Sequence, residues 1–378
     1  MGAQVENHAA AVLRLADGRR PADAALREYL SRGRGLDDGG RRAVSRAVFA
    51  YYRWLGWLDP REPAQSQVAR AVGLQERFTR DPSSVKGEAL AARAVPPWLA
   101  QEMAATPATL AWMQREPALW VRAKVGRAES AARELGSAGP AVLPARLHAP
   151  PGLAALRYGG TQDIHRCAPF LAGDLEIQDL SSQLVGHACQ AAPGETWWDA
   201  CCGEGGKTLH LSDLMGNKGL IWATDRSARR LQMLKKRAAR SGAFNYRAAS
   251  WTGKARAPFG TRCDGVLVDA PCSGVGTWSR NPHARWTTQP ADVAELAAVQ
   301  SELLSHAAGS VKAGGRLVYS VCTLTRRETD MVADAFALGR PDFEEAPIGL
   351  AGGASRVTLL PEELDANGMF IAAWRRKP

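Results

Sequence analysis

The run Asp199-Ala200-Cys201-Cys202-Gly203-Glu204-Gly205-Gly206-Lys207-Thr208 limits what this chain can fold into more than any other stretch. It lies between a strand pattern, Glu195-Thr196-Trp197-Trp198-Asp199-Ala200, and the start of a helix. Three glycines at such a turn let backbone approach a ligand closely. The spacing excludes two ligand loops: the dinucleotide fingerprint needs G-x-G-x-x-G and the phosphate loop G-x-x-x-x-G-K-[ST], whereas this run reads G-x-G-G-K-T. The next strand, Leu220-Ile221-Trp222-Ala223-Thr224, ends at Asp225. A carboxylate there can accept both hydroxyls of a ribose, from NAD or S-adenosylmethionine alike, or cap the helix that begins at Ser227. From about residue 166 onward strands and helices alternate, which predicts an α/β, doubly wound Rossmann-like sheet.

Two later strands end in thiols. Cys272 lies in Val268-Asp269-Ala270-Pro271-Cys272-Ser273-Gly274 and Cys322 in Leu317-Val318-Tyr319-Ser320-Val321-Cys322-Thr323. The carboxyl ends of parallel strands form the ligand crevice, so this placement suggests a thiol enzyme, against the plainer reading of two small buried hydrophobes. Seven cysteines with no CxxC pair point neither to a disulfide framework nor to a metal site, and they suit a reducing cytosol. The start Met1-Gly2-Ala3-Gln4 begins no basic-then-apolar leader, and no stretch approaches the roughly 18 apolar residues of a membrane span. The expected location is cytoplasmic. A formal charge of +10 favours a polyanionic partner, because lysines and arginines beside phosphates release counterions.

At 378 residues the chain calls for two or three domains. Residues 1–92 read as an all-helical domain. Over 40–58, Val44, Val48, Tyr51 and Leu55 recur at helical spacing, with Arg41, Arg42, Arg46 and Arg53 on the other side of the turn. Residues 1–95 hold 16 basic and 11 acidic residues, a surplus of five. Residues 93–165 read as a small α/β insert, with a strand at Leu119-Trp120-Val121-Arg122-Ala123, a helix over 126–136 and a proline- and glycine-rich connector over 140–160. Residues 166–378 form the doubly wound domain.

The glycine loop and the two cysteine segments together resemble the RNA (cytosine-5)-methyltransferase family, whose bacterial members modify ribosomal RNA. Asp269-Ala270-Pro271-Cys272-Ser273-Gly274 and Ser320-Val321-Cys322-Thr323 are similar to its two cysteine segments. Ser279 to Trp286 resembles its Arg-x-Pro-Asp-x-x-Trp segment, Gln178 to Gln183 its entry segment, Gly368 to Ala372 its closing hairpin, and the helical front a NusB-like RNA-binding domain.

The resemblance implies S-adenosyl-L-methionine as cofactor, held by Cys201, Cys202, Gly203, Glu204, Gly205, Gly206 and Lys207, by Asp225, Arg230 and Ser250, and by Asp269. It implies cytosine in RNA as substrate, ribosomal first and transfer RNA second, with no protein partner and a monomeric enzyme. Carbon 5 of cytosine is too weak a nucleophile to take a methyl group unless a thiolate first adds to carbon 6. Cys322 is the expected nucleophile, Cys272 assists release, Asp269 faces the base edge and Lys207 pairs with it. Arg280, His283 and Arg285 are expected to guide a flipped nucleotide, and the basic run 226–240 to face phosphates. Glu204 and Ala248-Ala249-Ser250-Trp251 depart from the family pattern. They keep open a second function, a catalytically inactive RNA-binding or assembly factor. An exocyclic-amine methyltransferase would carry an aromatic residue where Cys272 stands.

Overall fold

The computed structural model describes residues 2–16, 20–33, 35–254 and 257–378. The chain forms two compact units, residues 1–117 with 274–290, and residues 118–273 with 291–378.

Helices Gly2–Leu13, Ala22–Ser31, Asp38–Arg53 and Ala64–Arg80 build the first unit. Their apolar faces meet at Ala9, Val12, Leu26, Tyr29, Val44, Val48 and Val68. Asp37 caps the third helix by accepting from the Gly40 amide at 2.7 Å, which satisfies one of its unpaired amino-terminal donors. That helix stops at Arg53, short of the expected residue 58, and a 3-10 turn Leu55–Trp57 follows. Arg53 does not join an exposed basic side either. It is buried, donating to Gln75 Oε1 at 2.9 Å and to the Ser279 carbonyl at 3.2 Å.

The returning segment 274–290 supplies the first unit with a central polar anchor. Arg285 is 0% exposed; its Nη1 donates to the carbonyls of Ala94 at 2.8 Å and Arg53 at 3.4 Å, and its Nη2 to those of Met113 at 2.7 Å and Trp278 at 3.3 Å. Burial and the neighbouring Arg53 push its pKa down to about 9. This overturns the expectation that Arg285 guides RNA, since its guanidinium is committed to carbonyls that have no water to replace it. His283 is also buried, its ring edge-on to Tyr52 at 4.6 Å between centroids. Arg280 alone of the three is exposed.

The second unit holds two sheets. The smaller contains β1 (Leu119–Ala123), β2 (Ala138–Pro140), β3 (Ala155–Tyr158) and β4 (Leu175–Ile177), in the antiparallel order β2-β3-β1-β4. Part of the expected connector is therefore strand, and the sheet extends past residue 165, because β1 takes β3 on one edge and β4 on the other. The small sheet is bonded to the helices of its own unit. Arg122 pairs with Asp213 at 2.6 Å, and buried Glu176 accepts from Arg237 at 2.9 Å and from Arg240. Arg240 also lies over the Phe170 ring at 3.6 Å, so two members of the basic run 226–240 face inward while Arg226, Arg229, Lys235 and Lys236 remain exposed.

The larger sheet contains β5 (Thr196–Asp199), β6 (Leu220–Asp225), β7 (Tyr246–Ser250), β8 (Cys263–Asp269), β9 (Val311–Val321), β10 (Phe343–Glu345), β11 (Arg356–Leu359) and β12 (Met369–Arg376). Its order is β10-β12-β9-β8-β5-β6-β7, with β11 on β12; β5 to β9 are mutually parallel and β12 runs antiparallel to β9. Alternate residues feed opposite faces. Trp197, Leu267, Val318 and Ile371 pack with Leu184 and Leu211 on one side, and Trp198, Val266, Val268, Leu317, Tyr319 and Phe370 with Leu303, Leu304 and Phe336 on the other. Both faces are covered, as a parallel sheet requires. No helix among the described residues is long and apolar enough to cross a membrane.

Replacing Arg285 by methionine keeps the volume but orphans buried carbonyls. Chemical denaturation should show Arg285→Met destabilising the protein by about 3 kcal/mol, with RNA affinity of the folded fraction unchanged; an unaltered denaturation midpoint would remove its anchoring role.

Candidate active site

The order of the large sheet reverses between β5 and β8, and a crevice opens above the carboxyl ends of strands at such a switch point. Of the residues singled out from the sequence, Gly203, Asp225, Asp269 and Cys272 lie at or just beyond the ends of β5, β6 and β8, and Lys207 lies in the first turn of the helix Gly206–Leu214 that follows β5.

The three glycines of the loop divide the work. Gly205, at φ +88°, has no room for a side chain, because a Cβ would fall 2.2 Å from Leu234 Cδ1 of the helix Ala228–Ser241. At Gly203, φ +55°, and at Gly206 a Cβ would meet nothing within 4 Å. Backbone there borders open space, which is a cradle for a ligand. Asp225 is nearly buried and held from two sides: Oδ2 accepts from the Gly203 amide at 3.0 Å and Oδ1 from the Ser227 amide at 2.7 Å. Ser227, not Asp225, caps the following helix. The carboxylate keeps lone pairs for a diol, as the sequence suggested, and Arg230 Nη1 stands 3.7 Å from it. Ser250 is exposed at the end of β7 and paired in register with Asp225.

Not every loop residue turns toward that space. The Cys202 side chain packs into the apolar cluster of Leu209, Leu231 and Leu234, and burial pushes its thiol far up; Cys201 packs on the cluster around Trp198 and is pushed up likewise. Glu204, the departure from the family pattern in this loop, is exposed, its carbonyl accepting from Arg237 at 3.1 Å. Trp251 is core, edge-on to Trp198 at 4.8 Å.

Deeper in the crevice Lys207 and Asp269 pair at 2.7 Å. Burial works against the lysine charge, but the charge of Asp269 and its hydrogen bond hold the Lys207 pKa above its ordinary value. At that separation the attraction is about 6 kcal/mol for an effective dielectric near 20, about what full burial of a lysine costs. Asp269 Oδ1 accepts from Ser320 Oγ at 2.8 Å. Ser320 went unnoticed in the sequence, although its position opposite Asp269 on the next parallel strand was the available signal.

Cys272 and Cys322, fifty residues apart, lie with their sulfurs 3.3 Å apart. The hydrogen bond from Cys272 lowers the pKa of Cys322, against burial and the charge of Asp269, and the Lys207 ammonium adds to the lowering. The two sulfurs share one hydrogen bond, and Cys322 is the thiol whose acidity it raises. Burial pushes the thiols of Cys189, Cys201, Cys202 and Cys263 the opposite way, Cys263 to about 12. Among the described residues no His, Cys, Asp and Glu group could hold a metal ion.

Comparison with known proteins adds three kinds of likeness. The family described as 16S rRNA methyltransferase RsmB/F matches residues 187–375. The chain is 31% identical over 408 residues to the ribosomal RNA small subunit methyltransferase B of Xanthomonas campestris, covering 98% of this chain and 88% of that one. It is 38% identical over 222 residues to the "Probable ribosomal RNA small subunit methyltransferase B" of Bacillus subtilis, covering 55% and 49%. Against the human 28S rRNA (cytosine(4447)-C(5))-methyltransferase it is 33% identical over 239 residues, covering 58% and 29%. The match thus spans about half the length of the Bacillus relative. The solved structure of PH0851 shares the fold, with a TM-score of 0.78 at 22% identity over 99% of this chain and 98% of that one.

Iodoacetamide labelling followed by mass spectrometry should find Cys322 the first of the seven cysteines to react as pH rises. Removing the nearby cation in Lys207→Met should move its labelling midpoint upward by about one pH unit; a midpoint that stays put would mean that Lys207 does not act on the thiolate.

Proposed function

The chain belongs to the 16S rRNA methyltransferase RsmB/F family, and from that premise we propose that it transfers a methyl group from S-adenosylmethionine to carbon 5 of a cytosine in ribosomal RNA. The observation that carries this reading is the 3.3 Å approach of Cys272 and Cys322 at the crevice, with the acidity of Cys322 raised. An exocyclic-amine methyltransferase has no use for two thiols there.

The cradle at Gly203 and Gly206 and the backbone-held carboxylate of Asp225 fit the cofactor's amino-acid portion and ribose. When bound, the cofactor supplies an electrophilic methyl group. The protein's own part is to make carbon 5 able to take it. The Cys322 thiolate forms a bond to carbon 6, and the electron pair of the 5,6 double bond moves toward carbon 5 and the ring edge. Lys207 and Ser320 keep Asp269 oriented beside that edge. Once carbon 5 has gained the methyl, its proton leaves to a base at Cys272, the double bond re-forms and Cys322 departs as thiolate. The proton that Cys272 shares with Cys322 at rest must therefore move away before the second half of the reaction.

RNA reaches the crevice through exposed cations, and within the second unit Arg226, Arg229, Lys235 and Lys236 are the candidates that remain, with Arg280 the exposed candidate on the first. Seven cysteines without a disulfide support a reducing, cytoplasmic setting.

Two experiments test the assignment. Calorimetry should show Asp225→Ala weakening S-adenosylmethionine binding by about 1–3 kcal/mol; equal affinity would take Asp225 out of the site. With labelled RNA and labelled cofactor on denaturing gels, Cys322→Ala should abolish transfer and adduct, whereas Cys272→Ala should accumulate a methylated protein–RNA adduct, and the double variant none. An adduct that survives Cys322→Ala and vanishes with Cys272→Ala would exchange the two roles.

A further inference from the structure

Glu328 is a buried acidic side chain that the methyl transfer does not use. It ends the 3-10 turn Arg326–Glu328, six residues past Cys322, and is 0% exposed. Among the described residues no lysine or arginine pairs with it. A lone buried carboxylate is costly unless hydrogen bonds meet its lone pairs, and here five do. Oε1 accepts from the Ser273 amide at 2.8 Å and from Gln300 Nε2 at 2.9 Å. Oε2 accepts from the hydroxyls of Thr325 at 2.6 Å, Thr323 at 3.1 Å and Ser273.

The identity of those donors gives the arrangement its meaning. Ser273 comes directly after Cys272, and Thr323 directly after Cys322. The two cysteine loops leave adjacent parallel strands whose register ends at Asp269 and Ser320, with one further bond from the Ala270 amide to the Ser320 carbonyl at 3.0 Å. Past that point the sheet ladder no longer fixes one loop against the other. The Glu328 carboxylate does, one residue beyond each thiol, and the Ser273 and Thr323 hydroxyls meet each other at 2.9 Å. Gln300 extends the tie to the carbonyl of Pro271 at 2.9 Å, just before Cys272.

We propose that Glu328 is the positioning residue of the thiol pair: its carboxylate clamps the two cysteine loops together and so aims the Cys272 S–H at the Cys322 sulfur. The inference rests on the two-thiol reading of the reaction. A carboxylate accepts from all five donors at once, whereas an amide would turn its NH2 either toward the Ser273 and Gln300 N–H groups or toward three hydroxyls that would have to turn round and accept, which loosens their hold on the loops. The charged or titratable groups that face Cys322 are Cys272 and Asp269 from the end of β8 and Lys207 from the helix Gly206–Leu214. Glu328 acts on Cys322 through Cys272.

The thiol measurements use the full chain without RNA or cofactor. Diamide takes two electrons and two protons from neighbouring thiols, leaving a disulfide and a hydrazine. In the parent protein it should link Cys272 to Cys322 rapidly, and in Glu328→Gln at least about tenfold more slowly, because exchange rates depend on access of one sulfur to the other. The iodoacetamide labelling midpoint of Cys322 should rise by about half a pH unit or more, while calorimetric cofactor affinity stays at the parent value. Thr323→Val and Ser273→Ala each remove one donor and should shift both thiol readouts the same way by less, which keeps the test available if Glu328→Gln does not fold. Parent-like disulfide rate and labelling midpoint in a folded Glu328→Gln, or in both milder variants, would overturn the proposal and leave Glu328 a purely structural group. Thiol shifts as expected from a protein that never forms an RNA adduct would instead sustain the clamp and sink the proposed reaction.

Discussion

The reversal of strand order between β5 and β8 is the constraint on which everything else in the second unit depends. Strands laid down outward from β5 in one direction and from β8 in the other leave their first connecting loops diverging, and no side chain of the sheet fills the gap between them. Every polar group above the sheet is then a loop or strand-end residue, aimed by the turn that leaves its strand. The glycine loop turns back under the helix Ala228–Ser241 because only a residue without Cβ lets Leu234 pass, and that tight turn delivers the Gly203 amide to Asp225. The crevice is shaped by close packing at its floor as much as by the groups at its rim.

Its electrostatics balance in an economical way. One cation, Lys207, answers Asp269 directly and acts on Cys322 at longer range. Asp199, fully buried below, is pushed up to about 7 by burial in spite of the Thr208 hydroxyl that donates to it at 2.6 Å. Asp225 and Glu328 are met by backbone amides and hydroxyls. Dipoles fixed by the fold need no reorganisation when charge shifts during a reaction, which is the condition for electrostatic stabilisation in a site shielded from water.

Much of this was legible in the residues and some was not, for definable reasons. The strand at 196–199, the glycine turn and the cysteines beyond β8 and β9 could be read because each depends on local pattern, apolar runs broken by turn residues. Lys207 and Asp269, 62 residues apart, could be paired because the first turn of the helix after β5 and the end of β8 face one crevice. Arg285 was misread for the opposite reason: proximity to Cys272 along the chain says nothing about which carbonyls a buried guanidinium will find through space. Glu328 in Thr-Leu-Thr-Arg-Arg-Glu looks like one more surface charge, since the donors that bury it come from four other positions. The edge at residue 117 escaped notice because β1 belongs to the second unit through its pairing with β3 and β4, and pairing partners are invisible to periodicity.

The descent of such a protein is constrained by the way its first unit is assembled from two stretches of chain. Helices before residue 117 offer the carbonyls of Arg53, Ala94 and Met113, while the guanidinium that satisfies them is encoded more than 170 codons later, inside the sequence of the other unit. A single genetic crossover that exchanged the front helices for those of a relative would bring in new carbonyls and retain the old arginine. To keep these bonds, an exchange of fronts between lineages has to carry both the front helices and the insert that begins one residue after Ser273, or neither.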